Sequence, residues 1–133
     1  MSRTRLHVDY DFDFCLIGIV SYEKDYRLCW MLNKLLNIQL TKAEDHIAAG
    51  GKHSIYTCLH EDLFREYHLI ANKGDALILV DEHKHIDYFL LIKGIIEEDE
   101  RKHMPELIKK SEMVSAAYLI DVHSLKSKHN LIL

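Results

Sequence analysis

Two uncharged runs, Ala76 to Val80 and Tyr88 to Ile92, stand on either side of a polar connector, Asp81 to Asp87, that only Ile86 interrupts. Each run has the length of a buried strand and is too short for a typical helix. Successive strand residues point to opposite faces, so a strand that is apolar throughout has to be covered on both of them. The pair is expected to form the centre of a sheet, and the rest of the chain must supply the cover.

The flanking sequence predicts further strands and two helices. From Leu6 to Phe14 apolar residues alternate with His7, Asp9, Asp11 and Asp13, the pattern of a half-exposed strand. It then changes to Phe14–Val20, apolar on both faces, with a bend expected near Asp13. Leu28, Leu32, Leu35 and Leu36 recur at helical spacing and predict a helix from about Lys24 to Leu36, capped by Ser21 and ended by Asn37. Ile38 and Leu40 suggest a short strand, and Thr41 to Lys52, which closes on Ala48-Ala49-Gly50-Gly51, a flexible loop.

Strand-like segments follow at His53 to His60, Leu63 to Ala71, Ala76 to Val80 and Ile86 to Lys93, with hairpin-sized connectors that predict antiparallel pairing. Pro105 suits a first helical position, which puts a second helix from about His103 to Glu112. Val114 to Val122 reads as the last long strand, and Leu125 to Leu133 as a basic, then apolar, tail. The expected architecture is α+β: one domain over residues 1–133, with an antiparallel meander sheet of about five to six strands and two helices packed on one face.

Composition limits the function classes. The chain of 133 residues is 48% hydrophobic and 29% charged, ordinary values for a globular protein. Its 17 basic and 21 acidic residues leave a formal charge of −4, which provides no footprint for nucleic acid or an anionic membrane surface. Uncharged runs fall far short of the ~20 residues that cross a bilayer, and no signal-peptide pattern opens the chain. A cytoplasmic location follows as the expectation. Cys15, Cys29 and Cys58 lie far apart and make no C-x-x-C, so reduced, mostly buried thiols are expected.

Candidate chemistry is thin. Asp9, Asp11 and Asp13 imitate the opening of a calcium loop, but Phe14 stands where its glycine belongs and Val20 where its closing glutamate does, so a solvated strand face accounts for them. His83 and His85 share a face only on a strand, and they lack a fixed third ligand. His60-Glu61 with His68 fails the H-E-x-x-H spacing because Phe64 occupies the second histidine's place. Cys29 beside Trp30 reads as a small apolar filler rather than an activated thiol. There is no phosphate loop, nucleophile elbow or paired-carboxylate signature. The reading leans away from an enzyme and assigns no catalytic residue, no metal and no cofactor.

Val80-Asp81-Glu82, three further residues and Ile86-Asp87-Tyr88 resemble the I-P-E-x-x-x-V-D-Y signature of a bacterial family of unknown function, with Asp81 in place of the proline. Two other blocks are similar to that family's opening and closing segments: Phe14 to Trp30, including Gly18, Ser21 and Asp25-Tyr26-Arg27, and Ala116 to Leu131, including Tyr118, Asp121 and Lys126-Ser127. The resemblance brings no established activity, cofactor or catalytic residue with it. Asp81 leaves the connector without the fixed backbone angle a proline would impose.

The candidate binding residues are Asp25, Tyr26, Arg27 and Trp30 on the first helix with Glu82, Asp87 and Tyr88 of the connector. Two readings apply to the helical group. One is a structural clamp, in which Arg27 pairs with Asp87 or another sheet carboxylate and the aromatic side chains help bury the helix. The other is recognition by Arg, Tyr and Trp, residue types favoured at binding hot spots. The leading expectation is a non-catalytic domain that binds an unknown protein partner. The alternative is a small-molecule-binding domain with its pocket between the first helix and the sheet. A homodimer is expected as well, because two helices cover one sheet face and leave large side chains of the central strands on the other.

Overall fold

The structure, a computed structural model, describes residues 12–48 and 50–133. In chain order the elements are β1 (Cys15–Val20), α1 (Asp25–Leu36), β2 (Thr41–Lys42), β3 (His46–Ala48), β4 (Gly51–His53), β5 (Ile55–His60), β6 (Arg65–Ala71), β7 (Tyr88–Gly94), α2 (Glu98–Lys109) and β8 (Ala116–Ile120). Six strands form one sheet in the order β2-β5-β6-β7-β1-β8, with every neighbouring pair antiparallel, and β3 and β4 form a separate hairpin. The fold is α+β, as expected. β5, β6 and β7 run as a meander, and β1 enters between β7 and β8.

Strand alternation divides the core into two layers. Cys15, Ile17, Ile19, Tyr67, Leu69, Leu90 and Ile92 face one side, where Leu28, Cys29, Met31 and Leu32 of α1 and Met104 and Ile108 of α2 cover them. Both helices therefore pack on the same face. Leu16, Ile70, Phe89, Leu91 and Ile120 face the other side, where they meet Phe14, Leu79, Val80, Ile86, Val122, Leu125 and Leu131. This second layer removes the premise of the expected dimer surface. The sheet's second face is not open but closed by the chain's own 79–86 and 122–131 segments.

The cover exists because Ala76–Val80 is not a strand. Only an isolated bridge joins Lys73 to Ile78, Leu77 is exposed, and Leu79 and Val80 turn down onto the sheet. Asn72 directs that path. Its side chain is fully buried; its Nδ2 donates to the carbonyls of His83 (2.9 Å) and Ile86 (2.8 Å), and its Oδ1 accepts from Val80 N (2.8 Å). One side chain thus takes up backbone groups that a ladder would otherwise have to satisfy. The end of the apolar run is buried as its composition implies, but periodicity does not show that it caps a sheet instead of belonging to one.

Other local expectations change for similar reasons. The α1 N-cap is Lys24, with no side-chain cap; Ser21 Oγ instead accepts from Glu23 N (3.1 Å) and donates to Met113 O (2.6 Å). Asn37 ends the helix in the left-handed conformation, as its position suggested. Ile38 and Leu40 are buried without forming a strand, because Asn33 bonds both backbone groups of Leu40 (3.1 and 2.8 Å). The segment read as a flexible loop, Thr41 to Lys52, holds β2, β3 and the start of β4.

The second helix begins at Glu98, well before the expected start. Glu98, Asp99 and Glu100 form its first turn, where acidic side chains complement the helix dipole, and Pro105 lies buried in its interior. The strand expected from Leu6 to Phe14 lies outside the described residues up to Asp11; Phe12 and Asp13 belong to no strand, and the chain bends at Phe14.

Candidate functional site

The connector residues fasten the chain to itself. Glu82 accepts from the backbone N–H groups of Lys126 and Ser127 and from Ser127 Oγ (2.5 Å), tying the 79–86 segment to the chain after β8. Burial works against its charge, but the Ser127 hydroxyl and these N–H groups outweigh it and hold the carboxyl at about 2. Asp87 Oδ2 accepts from Ser21 N (2.9 Å), and Lys73 Nζ stands 3.6 Å from its Oδ1. Tyr88 Oη donates to Glu23 O (2.7 Å); burial, with Asp25 and Asp87 nearby, pushes this phenol up to about 12. Asp87 and Tyr88 therefore grip the turn that leads into α1, while Glu82 grips the C-terminal segment. The three blocks that carry the family resemblance meet at these contacts.

The helical residues are arranged differently. Asp25 opens α1, its Oδ1 accepting from Tyr26 N (2.7 Å) and its Oδ2 from Ser54 Oγ (2.5 Å), which ties the helix start to the segment before β5. Arg27 does not reach Asp87. Its Nε donates to Glu23 Oε1 (2.7 Å), one turn back, in solvent. Tyr26 and Trp30 do not help bury the helix either, because they are 59% and 54% exposed, and Tyr22 in the preceding turn is 97% exposed. The buried stripe is Leu28, Met31 and Leu32 with Cys29, so the aromatic residues fall on the outer side. Tyr26, Arg27 and Trp30 line a surface depression of about 430 Å³, and Lys34 Nζ sits 4.4 Å from the Trp30 ring centre. The seven candidate binding residues thus do not converge: three are intramolecular fasteners and three form an outward patch, with Asp25 at the patch's inner end.

A second concavity lies between the end of α1, β6 and α2. Leu35, Leu36, Leu63, Met104 and Leu107 supply its apolar wall, and Arg65, Tyr67 and Glu100 its polar floor, around about 470 Å³. Arg65 is almost fully buried and forms a two-pronged pair with Glu100 (2.7 and 2.6 Å), while its Nε donates to Ile95 O (2.7 Å) and its Nη1 to Tyr67 Oη (3.3 Å). The hydrogen bonds to Glu100 raise the guanidinium's pKa and lower that of the carboxyl, so both stay charged. Nothing in the sequence marks this pair, whose members stand 35 residues apart on different elements. Beside the cleft, the turn between β5 and β6 carries Phe64, 77% exposed and in the left-handed conformation (φ 52°).

Two histidines and two cysteines are buried in structural surroundings. His53 is fully buried with Nδ1 3.0 Å from Ala71 O, and His68 Nε2 stands 3.2 Å from Glu66 Oε1. Burial lowers the pKa of both rings. Burial raises the thiol pKa of Cys15 and Cys29, the opposite of an activated nucleophile. Among the described residues no three His, Cys, Asp or Glu side chains gather so as to hold a metal ion, and no helix is long and apolar enough to cross a membrane. No family model and no curated protein matches the chain.

Proposed function

We propose that this protein is a non-catalytic interaction domain of the cytoplasm that binds another protein through the outer side of α1 and also associates with itself. The observation that carries this reading is the patch of Tyr26, Arg27 and Trp30, with both aromatic rings more than half exposed beside Tyr22. A large apolar side chain left in water forgoes roughly 1.5–3 kcal/mol of burial. Arg, Tyr and Trp are also the types enriched at the energetic centres of interfaces. Kinship with the I-P-E-x-x-x-V-D-Y proteins of bacteria belongs to the same proposal. It is supported by the contacts of Glu82, Asp87 and Tyr88, which join the three similar blocks.

The test compares the proteins captured from the native cell by the intact chain and by a Tyr26→Ser/Trp30→Ser variant. A partner retained by the first and lost by the second supports the assignment; equal capture by both overturns it. A second reading, a small-molecule-binding domain, draws its support from the cleft between the helices and β6, whose volume of about 470 Å³ lies in the range of ligand pockets. A screen of apolar and amphipathic small molecules by thermal shift, repeated with Leu107→Lys, tests it.

A further inference from the structure

The turn between β5 and β6 is built at a cost that folding alone does not explain. Glu61–Leu63 forms a single tight helical turn, and Phe64 follows it in the left-handed conformation, its N–H bonded to Glu61 O at 3.1 Å. That position favours Gly or Asn, because a Cβ there is strained. Here it carries a phenylalanine, 77% exposed, so the chain accepts backbone strain and an unburied ring at one residue. Strained, exposed residues of this kind are found at clamps and binding sites. The backbone that carries the ring is held in place. The next residue, Arg65, pairs with Gly94 in the β6–β7 ladder, and a Cβ at Gly94 would run into Phe64 O.

Directly beside this knob is a hole of matching chemistry. Leu63, adjacent to Phe64, is itself part of the cleft wall with Leu35, Leu36, Met104 and Leu107. A volume of about 470 Å³ is ample for a phenyl ring. We propose that Phe64 of one copy inserts into this cleft of a second copy, and reciprocally, so that the β5–β6 turn and the α1–α2 cleft form a twofold interface. Knob and hole on one surface are what an isologous contact requires, since each copy must present both. The charges agree with it. The turn carries Glu61 and Asp62, and among the described residues the unpaired cation on the cleft lining is Lys110, Arg65 being already paired with Glu100. Association places the acidic turn of each copy beside Lys110 of the other. This inference rests on the self-association proposed above and assigns it a surface; it is independent of the patch on α1.

The experiment is sedimentation equilibrium of the full chain at micromolar to 100 micromolar concentration, with variants checked for folding by circular dichroism. The intact chain is expected at twice its mass of 15.6 kDa. Phe64→Gly is expected to weaken the dimer at least about tenfold, as loss of a hot-spot side chain does. It should also raise the unfolding midpoint of the monomer, because it relieves the left-handed strain. A merely structural Phe64 would not produce both effects. Lys110→Glu and Glu61→Lys should each weaken association, and together restore it. A monomer at every concentration overturns self-association altogether. A dimer indifferent to Phe64→Gly but lost in Leu119→Lys, on the exposed edge of β8, or in Trp30→Ser keeps self-association and overturns this surface. A small molecule that fills the cleft without altering the mass makes the cleft a ligand site and overturns the proposal too.

Discussion

Ile86 lies over Gly18, with its Cδ1 in the space that any Cβ at position 18 would occupy. Gly18 is in the middle of β1, paired with Phe89 on one side and Tyr118 on the other, where a glycine weakens a strand unless another group comes close. Here that group is the cover of the second sheet face. Gly18→Ala is therefore expected to lower the unfolding free energy by about 1–3 kcal/mol through overpacking, since Ile86 is fully buried and has little room to retreat. Shortening the partner should rescue it. Urea unfolding of Gly18→Ala, Ile86→Val and the double variant is expected to give a double loss smaller than the sum; strict additivity would mean that the contact is not felt.

Glu82 anchors the 79–86 segment to the chain after β8. Glu82→Gln should keep the shape but weaken three hydrogen bonds to Lys126 and Ser127, at a cost of about 1 kcal/mol, reduced from the usual charged-bond value because the site is exposed. Amide exchange at Lys126 and Ser127 should accelerate while the β6–β7 ladder is unchanged. The sign of the pH effect follows from the low carboxyl pKa. The contribution is complete above the ordinary value of 4.5 and is lost as pH falls toward about 2, so the intact chain and Glu82→Gln should converge in acid. An equal gap at pH 7 and pH 2.5 would refute the assignment.

Much of the sheet was legible because its central strands are apolar on both faces. β7 and β1 have no alternation to misread, and the i, i+4, i+7 leucines of α1 placed that helix within a residue or so. What misled was direction rather than burial. Leu79 and Val80 are as buried as any strand residue, but Asn72, which turns the chain there, looks in sequence like one more polar residue of a turn. The error carried forward, since a sheet with that segment inside it would have lacked the cover that the segment supplies. The aromatic residues of α1 lie on the helix that the leucine spacing predicts, but they are exposed, and Arg27 pairs with Glu23 instead of Asp87. Phe64 carried no signal at all, because a left-handed residue is marked in sequence only when it is Gly or Asn.

His53 and His68 should make the fold acid-sensitive near neutrality. Burial is the main cause of both lowered pKa values, so each ring is held neutral when folded and titrates more readily when unfolded. At His53 the Ala71 carbonyl can only accept, which fixes the proton on Nδ1; a second proton would go to Nε2, a buried atom with no partner among the described residues. The stabilisation is present above the ordinary value of 6.5 and falls as pH drops below it, at up to about 1.4 kcal/mol per pH unit for each ring. Unfolding midpoints measured from pH 7.5 to 5 should decline, and His68→Gln, which cannot titrate, should flatten the slope. A flat profile for the intact chain would contradict the burial argument.

The Arg65–Glu100 pair should be strongly coupled, and the way it fails distinguishes it from a surface ion pair. Arg65 has four of its five donors occupied by Glu100, Ile95 O and Tyr67 Oη, and its side chain is 8% exposed, against 41% for Glu100. Removing the carboxylate would leave a guanidinium out of water with half its partners gone. Breaking a buried pair usually costs about 3–5 kcal/mol. Because Glu100 retains solvent, roughly 2 kcal/mol is expected for Glu100→Gln. Removing both charges is different, since no uncompensated ion remains; Arg65→Met with Glu100→Gln should cost less than Arg65→Met or Glu100→Gln alone. The first turn of α2 reports the same event, because Glu100 is what ties it to β6, and its amides should lose protection in Glu100→Gln alone. Denaturant unfolding of the three variants decides the matter: single losses under 0.5 kcal/mol, within the range of ordinary surface substitutions, would place the pair with exposed salt bridges and leave α2 held by Met104 and Ile108 instead.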